Sequence, residues 1–137
     1  EGYKQALSQY GLRSSYREIG LNSVEEGFEG TVDLLAENPE LTAIITVSHL
    51  TAAGSIKALA LQGRSVPADC SVMAVGFGGS FANVVTPSLT TLEWSPYAIS
   101  YQATVLMTEK LANAQLPAQQ ILVPPTLVVR ESTKEVT

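Results

Sequence analysis

Two short apolar runs, residues 43–47 and 70–75, constrain the fold of this chain most strongly. They lack the alternation of polar and apolar residues that marks a half-exposed strand, and the first is rich in β-branched side chains. Such runs are typical of parallel strands that are covered on both faces. Segments with helical spacing alternate with these runs, and the connections are short. The pattern therefore predicts an α/β fold: an open parallel sheet with helices on both faces.

The helix boundaries are signalled by capping residues. Ser23 and Glu26 have the spacing of a capping box, which predicts a helix that starts at residue 24. Ser95 followed by Pro96 combines a cap residue with proline at the first helical position, and predicts a helix over residues 96–113. Further strands are predicted at residues 15–19, 89–92, 121–123 and 127–129.

Charge and composition exclude several classes of protein. Of the 137 residues, 45% are hydrophobic and 15% are charged, which argues against disorder. The net charge is −5 and the eight Lys and Arg residues are scattered, so this chain alone is a poor binder of nucleic acid. No apolar stretch approaches the roughly 20 residues that span a bilayer. Because the chain opens inside a predicted helix, we expect a piece of a longer protein.

The sequence predicts no enzyme, cofactor or metal site. One histidine, His49, and one cysteine, Cys70, cannot form a zinc site by themselves. The order of the elements puts Cys70 at the amino end of its strand and His49 beyond the carboxyl end of another, so a Cys–His dyad is not expected. Buried packing is the expected role of Cys70.

Candidate ligand residues follow the two apolar runs. In open parallel sheets, ligands bind at the carboxyl ends of the strands. Here those ends are Ser48-His49 and the glycine turn over residues 76–79. Successive backbone N–H groups of such a turn can cradle an anion. A plain turn remains the simpler interpretation, since the Gly-Lys-Ser/Thr of a phosphate loop is absent.

Several stretches along the chain fit one known pattern when they are taken in order. They are Gly2-Tyr3 with Ala6-Leu7, Leu41-Thr42-Ala43-Ile44, Ala53-Gly54-Ser55-Ile56-Lys57-Ala58-Leu59, Gly63-Arg64-Ser65-Val66-Pro67-Ala68-Asp69, Ser71-Val72-Met73-Ala74-Val75-Gly76-Phe77, Pro87-Ser88-Leu89-Thr90-Thr91-Leu92 and Leu127-Val128-Val129-Arg130-Glu131-Ser132-Thr133. In these stretches the chain resembles the effector-binding core of LacI/GalR-type bacterial transcription regulators over essentially its whole length. No single motif is specific, but their order and spacing together are, and the closing Leu-Val-Val-Arg-Glu-Ser-Thr favours regulators over periplasmic solute-binding proteins.

The resemblance implies two α/β subdomains that clasp a small-molecule effector, in a homodimer that binds operator DNA through an N-terminal helix-turn-helix. It assigns residues 1–88 to the C-terminal subdomain, residues 89–120 to a crossover strand and a helix of the N-terminal subdomain, and residues 121–137 to return strands and a polar tail. The helix-turn-helix lies outside this sequence. The location it implies is the cytoplasm.

The chain departs from the family pattern at three places where members contact their effector. Ser48-His49 stands where Asn-Asp is usual, and Gly78 stands where an acid usually reads hydroxyls or ring nitrogens. Asn22 occupies the place of a common stacking aromatic residue. A typical sugar bound in the typical way is therefore not expected; the effector is expected to be sugar-like, a nucleoside or an anion.

Each candidate residue also has a purely structural interpretation. Ser48 can be only a helix cap, Asn22 only a helix-start residue, and His49 a solvated side chain. Trp94, at the crossing between subdomains, can stack on a ligand or pack in a hinge. Phe77 can be core or cleft wall. The predicted dimer surface consists of Ala53, Phe81, Val84 and Val85, because an exposed apolar patch there needs a partner.

Three other functions stay open at this point. A periplasmic-type solute-binding protein would share the fold and differ in its N-terminus. An α/β enzyme would use the glycine turn for a phosphate and would need a base or metal set from elsewhere. A regulator whose small-molecule pocket has decayed would respond to a protein partner, an alternative suggested by the changes at Asn22, Ser48-His49 and Gly78.

Overall fold

The computed structural model describes residues 1–76 and 79–135. Within them, no helix is long and apolar enough to cross a membrane. The elements, in chain order, are α1 Gly2–Gln9, α2 Val24–Glu37, β1 Ala43–Thr46, α3 His49–Leu61, β2 Ser71–Val75, α4 Phe81–Val84, β3 Thr90–Glu93, α5 Pro96–Ala112 and β4 Thr126–Val128.

The four strands form one open sheet in the order β1-β2-β3-β4. β1, β2 and β3 are parallel, with Ile44 opposite Val72 and Met73 opposite Thr90. β4 runs antiparallel to β3, with Val128 opposite Thr91. The predicted α/β fold with an open sheet is confirmed, and the antiparallel β4 makes the sheet mixed.

β1 is covered on one face only, which corrects the prediction for residues 43–47. Ile44 and Thr46 are buried, whereas Ile45 is 54% exposed and Val47 is 64% exposed. An apolar run identifies side chains that can be buried on either face. Burial itself requires a covering layer, and within the described residues only one face of β1 has one.

The core forms where α3 packs on the sheet and α2 packs on α3. The two helices approach so closely that a Cβ added to Gly54 would lie 2.0 Å from the Val24 carbonyl oxygen, and one added to Gly27 would lie 2.3 Å from the Thr51 carbonyl oxygen. At this crossing only glycine leaves room for the facing backbone. The buried apolar residues are Leu35, Ile44, Ala52, Ala58, Leu59, Cys70, Val72, Ala74, Ala82 and Leu89.

The predicted helix starts agree with the structure. Ser23 Oγ accepts a hydrogen bond from the Glu26 amide at 3.2 Å at the start of α2. Ser95 Oγ accepts one from the Ala98 amide at 3.1 Å at the start of α5. Such bonds satisfy amides that have no partner within the helix.

Three local predictions differ from the structure. Residues 15–19 are not a strand: Ser15 Oγ donates to Asn38 Oδ1 and Arg17 pairs with Glu37, so side-chain contacts fasten this segment rather than a ladder. Residues 121–123 are likewise not a strand. The short helix α4 was not predicted, because one turn carries no periodic signal.

Candidate functional site

Ser48 caps α3 at the carboxyl end of β1. Its Oγ accepts a hydrogen bond from the Thr51 amide at 3.3 Å, and Thr51 Oγ1 accepts one from the Ser48 amide at 3.2 Å. These reciprocal bonds form a capping box, as the serine's position at the helix start predicts. Ser48 is 6% exposed, so its hydroxyl orientation is fixed by protein groups.

Ser48 also contacts Asn22, another of the predicted ligand residues. Its hydroxyl donates to the side-chain oxygen of Asn22, which precedes α2. The structure thus brings Asn22 and Ser48 together at the same strand end. Because the amide oxygen of Asn22 is already engaged, its NH₂ group is the part left to donate to a ligand.

A residue that sequence reasoning missed fixes the turn out of β1. Thr46 Oγ1 lies 2.9 Å from the Ser48 carbonyl oxygen and 3.2 Å from the Met73 carbonyl oxygen on β2. One hydroxyl therefore lies close to backbone acceptors on both sides of the strand end. The available signal was a hydroxyl residue near the end of an otherwise apolar run.

His49, the first residue of α3, contacts an aromatic side chain of α4. The His49 and Phe81 rings lie 4.7 Å apart between centroids and are tilted by 48°. Both side chains are partly exposed, so the pair forms a rim of the strand-end region. Phe81 was predicted for the dimer surface; the contact places it beside the candidate ligand site, and its role between subunits stays a prediction.

Trp94 lies against the end of β2. A Cβ added to Gly76 would meet Trp94 Cη2 at 3.5 Å and the Val47 carbonyl oxygen at 3.9 Å. Gly76 has φ of +145°, a conformation that a side chain would strain. Trp94 is 40% exposed, so one part of it lies beside Gly76 and the rest faces solvent. This position allows stacking on a ligand at the strand ends.

Two predicted ligand residues, Phe77 and Gly78, lie outside the described residues. Gly79, which follows them, has φ of +46°. Glycine adopts this positive φ without steric cost.

The other predicted dimer residues occupy α3 and α4. Val84 is 73% exposed, Val85 caps the end of α4, and Ala53 is partly buried on α3. An exposed valine is ordinary in isolation; its neighbourhood with Phe81 makes the segment apolar.

An ion pair that sequence reasoning missed lies beside the crossover. Arg130 Nη2 is 3.1 Å from Glu93 Oε1, and both side chains are mostly buried. The pKa of Glu93 is lowered, first by the hydrogen bond from the Thr91 hydroxyl and then by the Arg130 guanidinium. The signal in the sequence was the charged residue Arg130 directly after the apolar run of residues 127–129.

Neither a metal site nor a Cys–His dyad forms among the described residues. They contain no group of three or more His, Cys, Asp or Glu side chains that could hold a metal ion. Cys70 is buried before the start of β2, whereas His49 follows the end of β1, so the two lie at opposite ends of parallel strands. Burial raises the pKa of the Cys70 thiol, which disfavours the thiolate.

The surface of α5 carries a hollow of its own. It has a volume of about 270 Å³ and lies between α5 and residues 116–119, lined by Leu106, Met107 and Lys110 among others. It is separate from the strand-end residues. Its walls are mainly apolar, in keeping with the exposure of the whole helix.

Comparison with known proteins places the chain among binding-protein-like domains. Residues 1–133 match the family described as periplasmic binding protein-like domain. The ribose operon repressor of Halalkalibacterium halodurans is 30% identical over 135 residues, which cover 98% of this chain and 40% of the repressor. This chain thus spans about two fifths of that relative's length.

Solved structures agree with this likeness. A LacI family transcriptional regulator from Arthrobacter sp. FB24, in complex with lactose, is 30% identical with a TM-score of 0.82, covering 95% of this chain and 48% of that one. A LacI family regulator from Silicibacter pomeroyi is 29% identical with a TM-score of 0.86, covering 98% of this chain and 49% of that one. Such scores at this coverage mean that the whole chain shares their architecture.

Proposed function

The chain belongs to the family of periplasmic binding protein-like domains, and from that premise we propose that it is the effector-sensing part of a LacI-type transcription regulator. The resemblance to LacI/GalR-type regulators drawn from the sequence is confirmed by the relatives named above. One observation carries the proposal: Asn22, Ser48, His49 and Trp94 gather where parallel strands end, the usual ligand position of such sheets.

The proposed ligand is a small polar molecule without a net charge. Asn22 supplies its NH₂ group and Trp94 an aromatic face, and no carboxylate or lysine side chain is among the predicted ligand residues. An aromatic face with neutral polar groups suits a sugar-like ligand or a nucleoside. The bound lactose of the Arthrobacter regulator supports this class. An anion on the glycine turn is the alternative.

The proposed mechanism is closure of two subdomains around the ligand. Residues 1–88 would form most of one subdomain, residues 89–120 would cross into the other, and residues 121–137 would return. The exposure of α5 supports the division, since none of its residues is buried within this chain. A ligand shifts the closed arrangement only as far as it binds that arrangement more tightly.

The proposed assembly is a cytoplasmic homodimer that contacts operator DNA through a helix-turn-helix elsewhere in the longer protein. Ala53, Val84 and Val85 are the proposed dimer contacts, with Phe81 at their edge. Val85→Asp places a charge in this patch. We expect it to raise the dissociation constant of the full-length dimer at least 100-fold, measured by sedimentation. Glu109→Asp on α5 is the control; a dimer that withstands Val85→Asp refutes this surface.

The ligand proposal is tested by thermal shift on the full-length protein. Lactose, ribose, adenosine, glucose 6-phosphate and citrate are the probes. A ligand at 100 times its Kd adds about 2.7 kcal/mol, which raises the Tm by about 5 °C or more. A neutral sugar or nucleoside is expected to shift the Tm, whereas shifts only by the phosphate or citrate would overturn the neutral class.

A pair of variants ties any binding to the site. Trp94→Leu keeps an apolar side chain against Gly76 but removes the aromatic face, and we expect it to weaken ligand binding at least 10-fold. Tyr10→Leu, at an 80% exposed position after α1, should leave binding unchanged. Equal affinities of the two variants would place the ligand elsewhere.

One observation favours a second candidate function, a regulator that answers to a protein partner. Asn22 and Ser48 already satisfy each other, so part of the site's polar capacity is used internally. In that case no small molecule shifts the Tm, and a partner protein changes operator binding instead. A tight small-molecule ligand excludes this candidate.

A further inference from the structure

The guanidinium of Arg130 holds together three parts of the chain. Its Nε donates to Asn83 Oδ1 at 3.0 Å, its Nη1 to the Leu89 carbonyl oxygen at 2.8 Å and to Thr91 Oγ1 at 2.7 Å. Its Nη2 donates to Glu93 Oε1 at 3.1 Å. Arg130 follows β4, Asn83 lies in α4, and the other three residues precede or belong to β3.

This arrangement is a built feature rather than a surface pair. The Arg130 side chain is 16% exposed and that of Glu93 is 26% exposed. Thr91 is 1% exposed and donates to the same Glu93 oxygen at 2.6 Å. A planar guanidinium with this many fixed acceptors has one low-energy orientation, which a lysine ammonium could not reproduce.

The hydrogen bonds of Arg130 reach both regions that the proposed function uses, the ligand contact at Trp94 and the dimer segment at α4. Glu93 directly precedes Trp94, whose ring packs against Gly76 at the strand ends. Asn83 lies on α4 beside Val84, in the proposed dimer segment. One side chain therefore connects the residue before the proposed ligand contact with the segment that would contact a second subunit.

We infer that Arg130 is a positioning residue that couples the orientation of Trp94 to the position of α4. This inference rests on the proposed function, because the coupling matters only if Trp94 meets a ligand and α4 meets a partner subunit. Movement of the crossover shifts the Glu93 carboxylate. Because the guanidinium is rigid and planar, it carries Asn83 with it or gives up one of its hydrogen bonds.

A purely structural role of Arg130 makes a different prediction. If Arg130 only fastens β4 to β3, its replacement lowers stability and changes nothing at a distance. If it couples the two regions, a change on α4 is felt at Trp94 only while Arg130 is present. Spatial connection alone does not distinguish these cases, so a coupling measurement is required.

The test is a double-mutant cycle on the full-length protein, read by the ¹⁹F resonance of fluorotryptophan at Trp94. The resonance is assigned with Trp94→Phe, and no effector is needed. Asn83→Ala is expected to shift it by more than one linewidth in the parent and by much less in the Arg130→Met background. Gln62→Ala, at an exposed position after α3 that makes no hydrogen bond to Arg130 and belongs to neither proposed region, should shift it in neither.

Two results would overturn the inference: an Asn83→Ala shift of equal size in both backgrounds, or no shift in the parent. Should Arg130→Met fail to fold by circular dichroism, Arg130→Lys takes its place, since an ammonium keeps the charge but cannot reproduce the fixed set of hydrogen bonds. The cycle is independent of ligand screening. A failed screen with a positive cycle counts against the proposed function alone, and the reverse counts against Arg130 alone.

Discussion

The α2–α3 region and α5 differ in what they bury, although both are rich in apolar residues. α3 buries six of its 13 residues, whereas α5 buries none of its 17. The difference lies in the partners: α3 packs on α2, β1 and β2, while α5 leaves the sheet. Helical pattern and capping therefore predict that a helix forms, and its neighbours decide whether its apolar face is covered.

The exposed side chains of α5 show how large this difference is. Tyr97 is 79% exposed, Met107 is 64% exposed and Leu111 is 80% exposed. So many exposed apolar side chains on one helix agree with the proposed second subdomain, since this chain spans only about two fifths of a relative's length. The variants below compare the two regions directly, from the largest expected effect to the smallest.

Truncation of a leucine in each helix should separate the two regions most clearly. Leu59 on α3 is fully buried, and Leu59→Ala is expected to lower the free energy of unfolding of this chain by about 2–5 kcal/mol. Leu111→Ala on α5 should cost less than about 0.5 kcal/mol, because its side chain is already in water. Urea unfolding midpoints measure both.

The same pair in the full-length protein sharpens the comparison. If a second subdomain covers α5, Leu111→Ala becomes costly there while Leu59→Ala keeps its effect. Equal costs of the two variants in the isolated chain would contradict the exposure of α5.

The helix crossing gives the second prediction. Gly54→Ala puts a methyl group 2.0 Å from the Val24 carbonyl oxygen, so the backbones must separate, at a cost of about 1–3 kcal/mol or more. Gly30→Ala, on the partner helix α2, is the control, because the nearest neighbour of its added methyl group, Arg17 Cβ, lies 3.8 Å away. It should stabilise by up to about 1 kcal/mol through helix propensity. Thermal unfolding of both variants decides; a tolerated Gly54→Ala would refute the close crossing.

The sequence was sufficient for features whose partners are local. The caps Ser23, Ser48 and Ser95 each bond an amide three residues away, so spacing alone reveals them. The parallel sheet also followed from local patterns, because the connections between β1 and β2 are short. The burial of β1 could not be predicted in this way. It depends on which elements pack against each face of the strand, and no local pattern describes that.

The candidate site was predictable as a region and only partly as contacts. The strand-end rule selected Ser48 and His49, and the family resemblance selected Trp94 at the crossing between subdomains, without knowledge of side-chain positions. The contacts between His49 and Phe81, and between Arg130 and Glu93, join residues far apart in the chain. No spacing encodes such contacts. They follow from tertiary packing, which the sequence pattern leaves open.

The third prediction concerns the N-terminal caps of α3 and α5. Ser48→Ala removes the α3 cap and leaves the Thr51 amide without its acceptor in a buried place, so we expect a loss of about 2 kcal/mol. Ser95→Ala removes only the exposed α5 cap and should cost about 1 kcal/mol or less. Ser→Thr at each position is the control, since it keeps the hydroxyl. A larger loss for Ser95→Ala in chemical denaturation would contradict the assignment of burial.

The smallest expected effect lies in the crossover between the two regions and depends on pH. The hydrogen bond from Thr91 and the charge of Arg130 lower the pKa of Glu93 from its ordinary value of 4.5. A carboxylate whose pKa is lower in the folded state stabilises the fold above the unfolded pKa. That stabilisation is lost as the pH falls through the folded value.

Glu93→Gln should therefore reduce stability at pH 7 by no more than about 1 kcal/mol, in the range of partly exposed ion pairs. At a pH below the lowered pKa of Glu93 the parent and the variant should be nearly equal in stability, because the parent carboxylate is then protonated. Glu109→Gln on the exposed α5 is the matched control and should leave the profile of unfolding free energy against pH unchanged. A Glu93→Gln profile parallel to that of the parent from pH 7 to pH 3 would mean that Arg130 gains nothing from the charge of Glu93. The network would then hold the crossover through neutral hydrogen bonds alone.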